Sequence, residues 1–167
     1  MLPSPLNEFL VITVLDDAEP FFGDLFRRKF GDPIPDFPCH LGVFYRAPAG
    51  QFMPLSYLHF TPFGDIMLVG GLCTDGGVFA QMSGEQREQI HAAGGVMVHA
   101  LRHTFERLAD ECDAFFGYCG DARAWEVDMQ AGFEPTEYDK LIVRWHKALD
   151  PVRRRSLVAK AHAIGPF

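Results

Sequence analysis

Gly94-Gly95 lies between Arg87 and His91 on one side and His99, Arg102 and His103 on the other. Groups that could meet a phosphate therefore crowd around a point of backbone freedom. Two adjacent glycines cost roughly 1–2 kcal/mol inside a helix. They read either as a kink that serves packing or as a turn where a ligand approaches the backbone. If a helix begins after them, its first amides and its dipole favour an anion. Arg87, His91 and His99 are then placed to meet it, although Arg87 and Arg102 serve equally well as solvated helix-face charges. His99 and His103 have the i, i+4 spacing of two metal ligands on one helix face. Without an adjoining Glu or third ligand, no metal is expected. Cys73 has no legible His–carboxylate partner and reads as a core thiol. Gly70-Gly71 marks a strand bulge or a close approach.

The elements that must position these groups follow from pattern. Glu8 to Leu15 is apolar and β-branched, a first strand. Phe21, Phe22, Leu25, Phe26 and Phe30 fit one helical face, and Pro33, Pro35 and Pro38 end that helix. Leu41–Tyr45, Met53–Phe60 and Ile66–Cys73 are strands, the last two forming a hairpin about Thr61–Asp65. Asp75-Gly76-Gly77 reads as a turn, and 76–83 as a loop. Ser83-Gly-Glu-Gln86 is a capping box, so a helix starts near Gly84. It either runs unbroken to Asp110 or breaks at Gly94-Gly95, and the break is the expectation. Ala114–Cys119 is a short buried strand. Asp121 caps a helix that ends at Gly132. Tyr138–Lys147 is the last strand. The basic segment 151–164 should be a helix, its stripe of Leu157, Val158, Ala161 and Ile164 docked on the domain or across a homodimer.

At 167 residues and 48% hydrophobic content, the chain can bury one substantial core. The expected division is a single domain over 1–147 and a basic tail or helix, 148–167, packed on it. A formal charge of -7 argues against nucleic acid and anionic membrane as partners. An anionic ligand would need a local site of amides and a few cations. Cys39, Cys73, Cys112 and Cys119 show no C-x-x-C spacing. No apolar run is long enough to cross a bilayer and no signal-like segment opens the chain. A reducing, cytoplasmic location is the expectation.

From Asp65 to His146 the order strand, Gly-Gly-interrupted helix, strand, short helix ending in Gly132-Phe133, strand resembles the acyl-CoA-binding half of the GNAT superfamily of N-acyltransferases. His91-Ala92-Ala93-Gly94-Gly95-Val96 resembles its R/Q-x-x-G-x-G/A loop, with His91 in the first position and Val96 in the last. Asp121-Ala-Arg-Ala124 through Gly132-Phe133 resembles its N-x-x-A…Y-x-x-x-G-F segment, with Asp128 or Trp125 on the turn of the absent Tyr. The resemblance implies an α/β fold with a mixed, mostly antiparallel sheet flanked by helices and parallel, splayed fourth and fifth strands. It implies acetyl transfer from acetyl-CoA, or a related acyl-CoA, to a small-molecule or peptide amine. Leu72, Cys73 and Thr74 would pair with the pantetheine arm. His91, Ala92, Ala93, Gly94, Gly95, Val96 and Asp121 would line the CoA site. Asp75 is the candidate base and Tyr118 the candidate acid. The missing Tyr, the altered loop and a fourth strand without Glu leave an alternative, a catalytically inactive GNAT-like binding or assembly protein.

Overall fold

In the computed structural model, which describes residues 2–167, seven strands form one sheet in the order β1-β2-β3-β4-β5-β7-β6. The strands are β1 Leu10–Leu15, β2 Cys39–Arg46, β3 Phe52–Phe63, β4 Ile66–Thr74, β5 Ala114–Tyr118, β6 Glu134–Pro135 and β7 Leu141–Trp145. The helices are α1 Glu19–Phe30, α2 Gly76–Ala80, α3 Gly84–Ala92, α4 Val96–Leu108, α5 Ala122–Ala131 and α6 Pro151–Ile164. All strand pairs are antiparallel except β4–β5. The mixed, mostly antiparallel sheet with a parallel fourth and fifth strand is thus as the resemblance implies.

Local chemistry sets most boundaries. Ser83 caps α3 with the full capping box to Gln86. The helix breaks at Gly94 and Gly95, whose φ values of 92° and 99° exclude helix. Asp121 caps α5, and Gly132 ends it in the left-handed conformation. Several expectations differ from the structure. The first strand begins at Leu10 rather than Glu8, and Thr61 to Phe63, expected in the turn, extend β3 by pairing with Leu68 to Ile66. Asp75-Gly76-Gly77 opens a helix, α2, because the Asp75 carboxylate accepts the amides of Gly77 and Val78. The segment 138–140 is a turn rather than strand. Thr136 Oγ1 accepts the Tyr138 amide and donates to the Leu141 carbonyl, and Lys140 turns the chain at φ 66°. On α1, Phe22 and Phe26 are buried while Phe21 and Phe30 are exposed, so its buried face is narrower than the five-residue pattern.

The sheet has two covered faces. On one, α3, α4 and α5 supply Ile90, Val96, Leu101, Phe105 and Ala131 against Leu58, Phe60, Val69 and Phe115 of the strands. On the other, α1 covers Phe44, Tyr57 and Cys73. Beside α1, α6 lays Leu157, Val158 and Ala161 on Leu68, Phe116 and Val143. Charge fixes the same helix. Arg153 reaches Asp65 at 2.6 Å and Asp113 at 2.7 Å, and Lys160 reaches Asp65 at 2.5 Å. Asp65 ends the β3–β4 turn and Asp113 precedes β5, so α6 clamps the start of the parallel pair. Both carboxyls are held below their usual range, Asp65 first by Lys160 and Asp113 first by Arg153. No helix among the described residues is long and apolar enough to cross a membrane.

Leu157 is 1% exposed. Its replacement by Ala is expected to cost about 2–4 kcal/mol in urea unfolding. A loss under about 0.5 kcal/mol would show that α6 is no part of the core.

Candidate active site

β4 and β5 pair for only four residues, Ile66 to Val69 against Ala114 to Gly117. Beyond that point each strand continues alone. β4 also carries a bulge opposite Tyr57–His59, with Gly71 at φ 67°. A Cβ on Gly71 would lie 2.5 Å from His59 Nδ1 and 2.9 Å from Phe26, so only glycine fits. The parting strands enclose a cavity of about 280 Å³. Its walls include Gly70, Gly71 and Leu72 of β4, Gly117 and Tyr118 of β5, and Cys119, Asp121 and Asp128 at and after the start of α5. Lys29 and Phe30 of α1 and Phe167 close it from the opposite face.

Three of the expected residues therefore meet here: Leu72, Tyr118 and Asp121. Leu72 to Thr74 have no β5 partner, so one backbone edge of β4 faces the gap. Cys73 itself points to the α1 face, where burial pushes its thiol up to about 11. Thr74 is exposed and its hydroxyl lies 2.8 Å from that of Ser56.

Asp75 does not join Tyr118. It lines a separate cavity with Phe21, Arg28 and Pro54. One carboxylate oxygen takes the Gly77 and Val78 amides, and the other meets Arg28 at 3.0 Å. Burial works to raise its pKa, but those amides and Arg28 together hold it below the usual range. A carboxylate so occupied is a helix cap.

The segment His91–Val96 forms the α3–α4 junction and does not line the splay cavity. His91 and Ala92 are exposed at the end of α3. The Gly94 and Gly95 amides bond the carbonyls of His91 and Ile90. What the junction offers a ligand is the start of α4, where Gly95 supplies no capping side chain to the first amides, Val96 to Val98. His99 Nε2 lies 2.8 Å from the Ala93 carbonyl oxygen, which turns that ring toward the loop backbone. Arg102 donates to the Gln130 carbonyl at 2.5 Å. Among the described residues, no group of three or more His, Cys, Asp or Glu is arranged to hold a metal.

Asp128, on the turn of α5 where the resemblance expects a Tyr, joins the site. It is 7% exposed, on α5, and its side chain meets the cavity. Burial raises its pKa to about 6, and the neighbouring Cys119 thiol draws it partly back. The signal was present: a carboxylate on the inward turn of an amphipathic helix, in the place of an expected phenol. Three more polar groups, His40, Tyr57 and His59, line up under the bulge on the α1 face. Tyr57 Oη is 2.7 Å from His40 Nδ1 and 3.3 Å from His59 Nδ1. Their contact depends on the β2–β3 register, which sets His40 opposite His59.

A raised carboxyl pKa means that the folded protein binds the proton more tightly than the unfolded chain. Stability should then fall as pH rises from about 4 to about 6. The isosteric variant Asp128→Asn lacks that penalty. It is expected to match wild type near pH 4 and to exceed it by on the order of 2 kcal/mol near pH 8. Urea melts at the two pH values read this. An unchanged difference between them would show that Asp128 is ionised at no cost.

No protein-family model and no curated protein matches the sequence. Solved structures do match. The ribosomal-protein-S18-alanine N-acetyltransferase of Escherichia coli superposes with a TM-score of 0.54 at 11% identity, over 85% of this chain and 97% of that one. The KacTA–DNA complex gives 0.47 at 13% identity, over 92% and 98%. AtaTR bound with AcCoA gives 0.46 at 14%, over 90% and 98%. Strand order, the short parallel pair and the likeness to the Escherichia coli enzyme agree: the chain has a GNAT-like fold.

Proposed function

We propose that this protein transfers an acyl group, acetyl in the simplest case, from acyl-CoA to an amine. The observation that carries the reading is the cavity between β4 and β5. Its floor is glycine backbone, one wall is β4 at Leu72, where the strand has lost its β5 partner, and a buried carboxyl of raised pKa faces it. A thioester arm is narrow and carries amides, which suits an unpaired strand edge. The pyrophosphate is anionic, which suits the free amides of Val96 to Val98 at the start of α4. The residues present thus fit an acyl-CoA substrate.

The chemistry asked of the protein is modest. The amine attacks the thioester carbonyl carbon; a C–N bond forms and the C–S bond breaks. The ammonium must first lose a proton, and the departing thiolate takes one up. Asp128 is the best-placed acid, because its carboxyl is substantially protonated near pH 6 and borders the cavity. Tyr118, also at the cavity, is the second phenolic or carboxylic proton donor there. The acceptor is a small-molecule or peptide amine. Net charge alone does not exclude an amine carried on nucleic acid.

Three outcomes are expected. With acetyl-CoA and a panel of polyamines, amino acids, N-terminal Ala peptides and an aminoacyl-tRNA, thiol release should exceed the no-acceptor rate for at least one class. Gly94→Val, which cannot hold φ 92° without strain, should weaken calorimetric CoA binding about tenfold or more, well beyond its effect on melting. For the amine that works, Asp128→Asn should lower kcat about 10²-fold with CoA affinity kept. Wild-type protein that shows no heat with millimolar CoA would leave the binding or assembly reading in its place.

A further inference from the structure

The His40–Tyr57–His59 chain has no role in the acid side of that reaction, yet it is an unusual thing to bury. Tyr57 is fully buried, at 0% exposure, and His40 is 5% exposed. The rings of Phe22 and Phe26 pack on Tyr57. An apolar face of this kind costs least when filled with hydrocarbon. Three polar groups in a row call for an explanation.

The two ends of the chain differ. At the inner end, the His59 ring lies against the glycine pair that floors the cavity. A Cβ on Gly70 would be 3.0 Å from His59 Nε2, and Gly70 itself lines the cavity. At the outer end, His40 is the second residue of β2; burial disfavours its protonated form, and the charges of Asp17 and Asp36 partly offset that. The middle is a single hydroxyl between two ring nitrogens. Tyr57 has one proton, so it donates to one Nδ1 and accepts from the other. The proton order of the three groups is therefore coupled.

The geometry points to a proton relay: His59, Tyr57 and His40 carry the proton lost by the acceptor ammonium from the β4–β5 cavity to the acidic surface beside Asp17 and Asp36. This rests on the acyltransferase reading for its catalytic meaning. The transfer balances. A proton arrives at His59 Nε2, directly or through one water, and the His59 Nδ1 proton passes to Tyr57 Oη. The Tyr57 proton passes to His40 Nδ1, and His40 Nε2 releases its own proton to solvent. No group changes net charge: each ring is left as its other tautomer with the hydroxyl turned toward His59, and the chain resets when both rings exchange tautomer with water and the hydroxyl turns back toward His40.

The surroundings fit that direction of travel. Burial lowers His59 to about 4 and lowers His40 as well, so both rest neutral at physiological pH. An imidazolium is then disfavoured at the inner end and is aided at the outer end by the two aspartates. The other titratable groups facing the chain are Cys73 on β4 and Cys39 on β2. Both thiols have raised values, first through burial, and stay neutral. Lys29 on α1 acts on Cys73 and adds positive charge on the cavity side, which further disfavours a resting imidazolium there.

Tyr57→Phe removes the linking hydroxyl and keeps the ring that packs on α1. With an amine that turns over, this variant should bind CoA like wild type and lose about tenfold or more in kcat near neutral pH. The loss should shrink toward about pH 10, where the amine arrives deprotonated. His59→Gln should give the same profile. A loss that is uniform in pH, or no loss, overturns the relay. A second readout does not need turnover. In ¹⁵N-histidine spectra of the wild-type protein, acidification that protonates His40 should shift the His59 tautomer, and Tyr57→Phe should abolish that shift. Independent titration of the two rings in wild type also overturns the relay. Absence of turnover with every amine strikes the acyltransferase reading alone, because the spectra still decide the coupling.

Discussion

The short parallel pairing of β4 with β5 is the constraint on which the site depends. Four residues of each strand are held side by side, and their apolar side chains bury on both faces. Past Val69 and Gly117 the pairing stops, and the sheet leaves a gap with one edge of β4 unpaired. The bulge of β4 and the positive φ of Gly71 turn one strand away. The Asp121 cap pins the chain that leaves β5, so that α5 starts at once and carries Asp128 back over the opening.

That opening is stable because the opposite end of the pair is closed firmly. Arg153 and Lys160 of α6 reach Asp65 and Asp113 at the beginning of the two strands. The ion pairs are partly exposed and individually modest. They act with a larger apolar contact, Leu157, Val158 and Ala161 on the sheet. The end of the same segment, Phe167, reaches the rim of the cavity near Tyr118. One helix thus links the closed end of the pair to its open end.

What was legible in the sequence is what local chemistry decides. The capping box at Ser83, the Asp121 cap and the break at Gly94-Gly95 each depend on a few neighbouring residues, and each stands as read, while the β3–β4 hairpin stands with its turn shortened to Gly64-Asp65. The misreadings come from competition between equally local alternatives. Asp75-Gly76-Gly77 suits a turn and a helix start alike, and the accepted amides decide for the helix. The Tyr138–Lys147 pattern suits a long strand, but Thr136 closes a turn over its first residues. The membership of the site was less legible because it is non-local. Leu72, Tyr118 and Asp121 meet through the divergence of two strands, whereas Asp75 is drawn aside by its capping bonds and Arg28. His40, Tyr57 and His59 become one chain only when the β2–β3 register is known.

The central claim is that the gap between β4 and β5 receives the thioester arm of acyl-CoA. Amide NMR of ¹⁵N-labelled protein titrated with CoA tests it most directly. Saturable shifts are expected at Gly70, Gly71 and Leu72 on one strand and Gly117 to Cys119 on the other, with a further group at Val96 to Val98 where the pyrophosphate would sit. Shifts confined to other surfaces, or none at millimolar CoA, would contradict it.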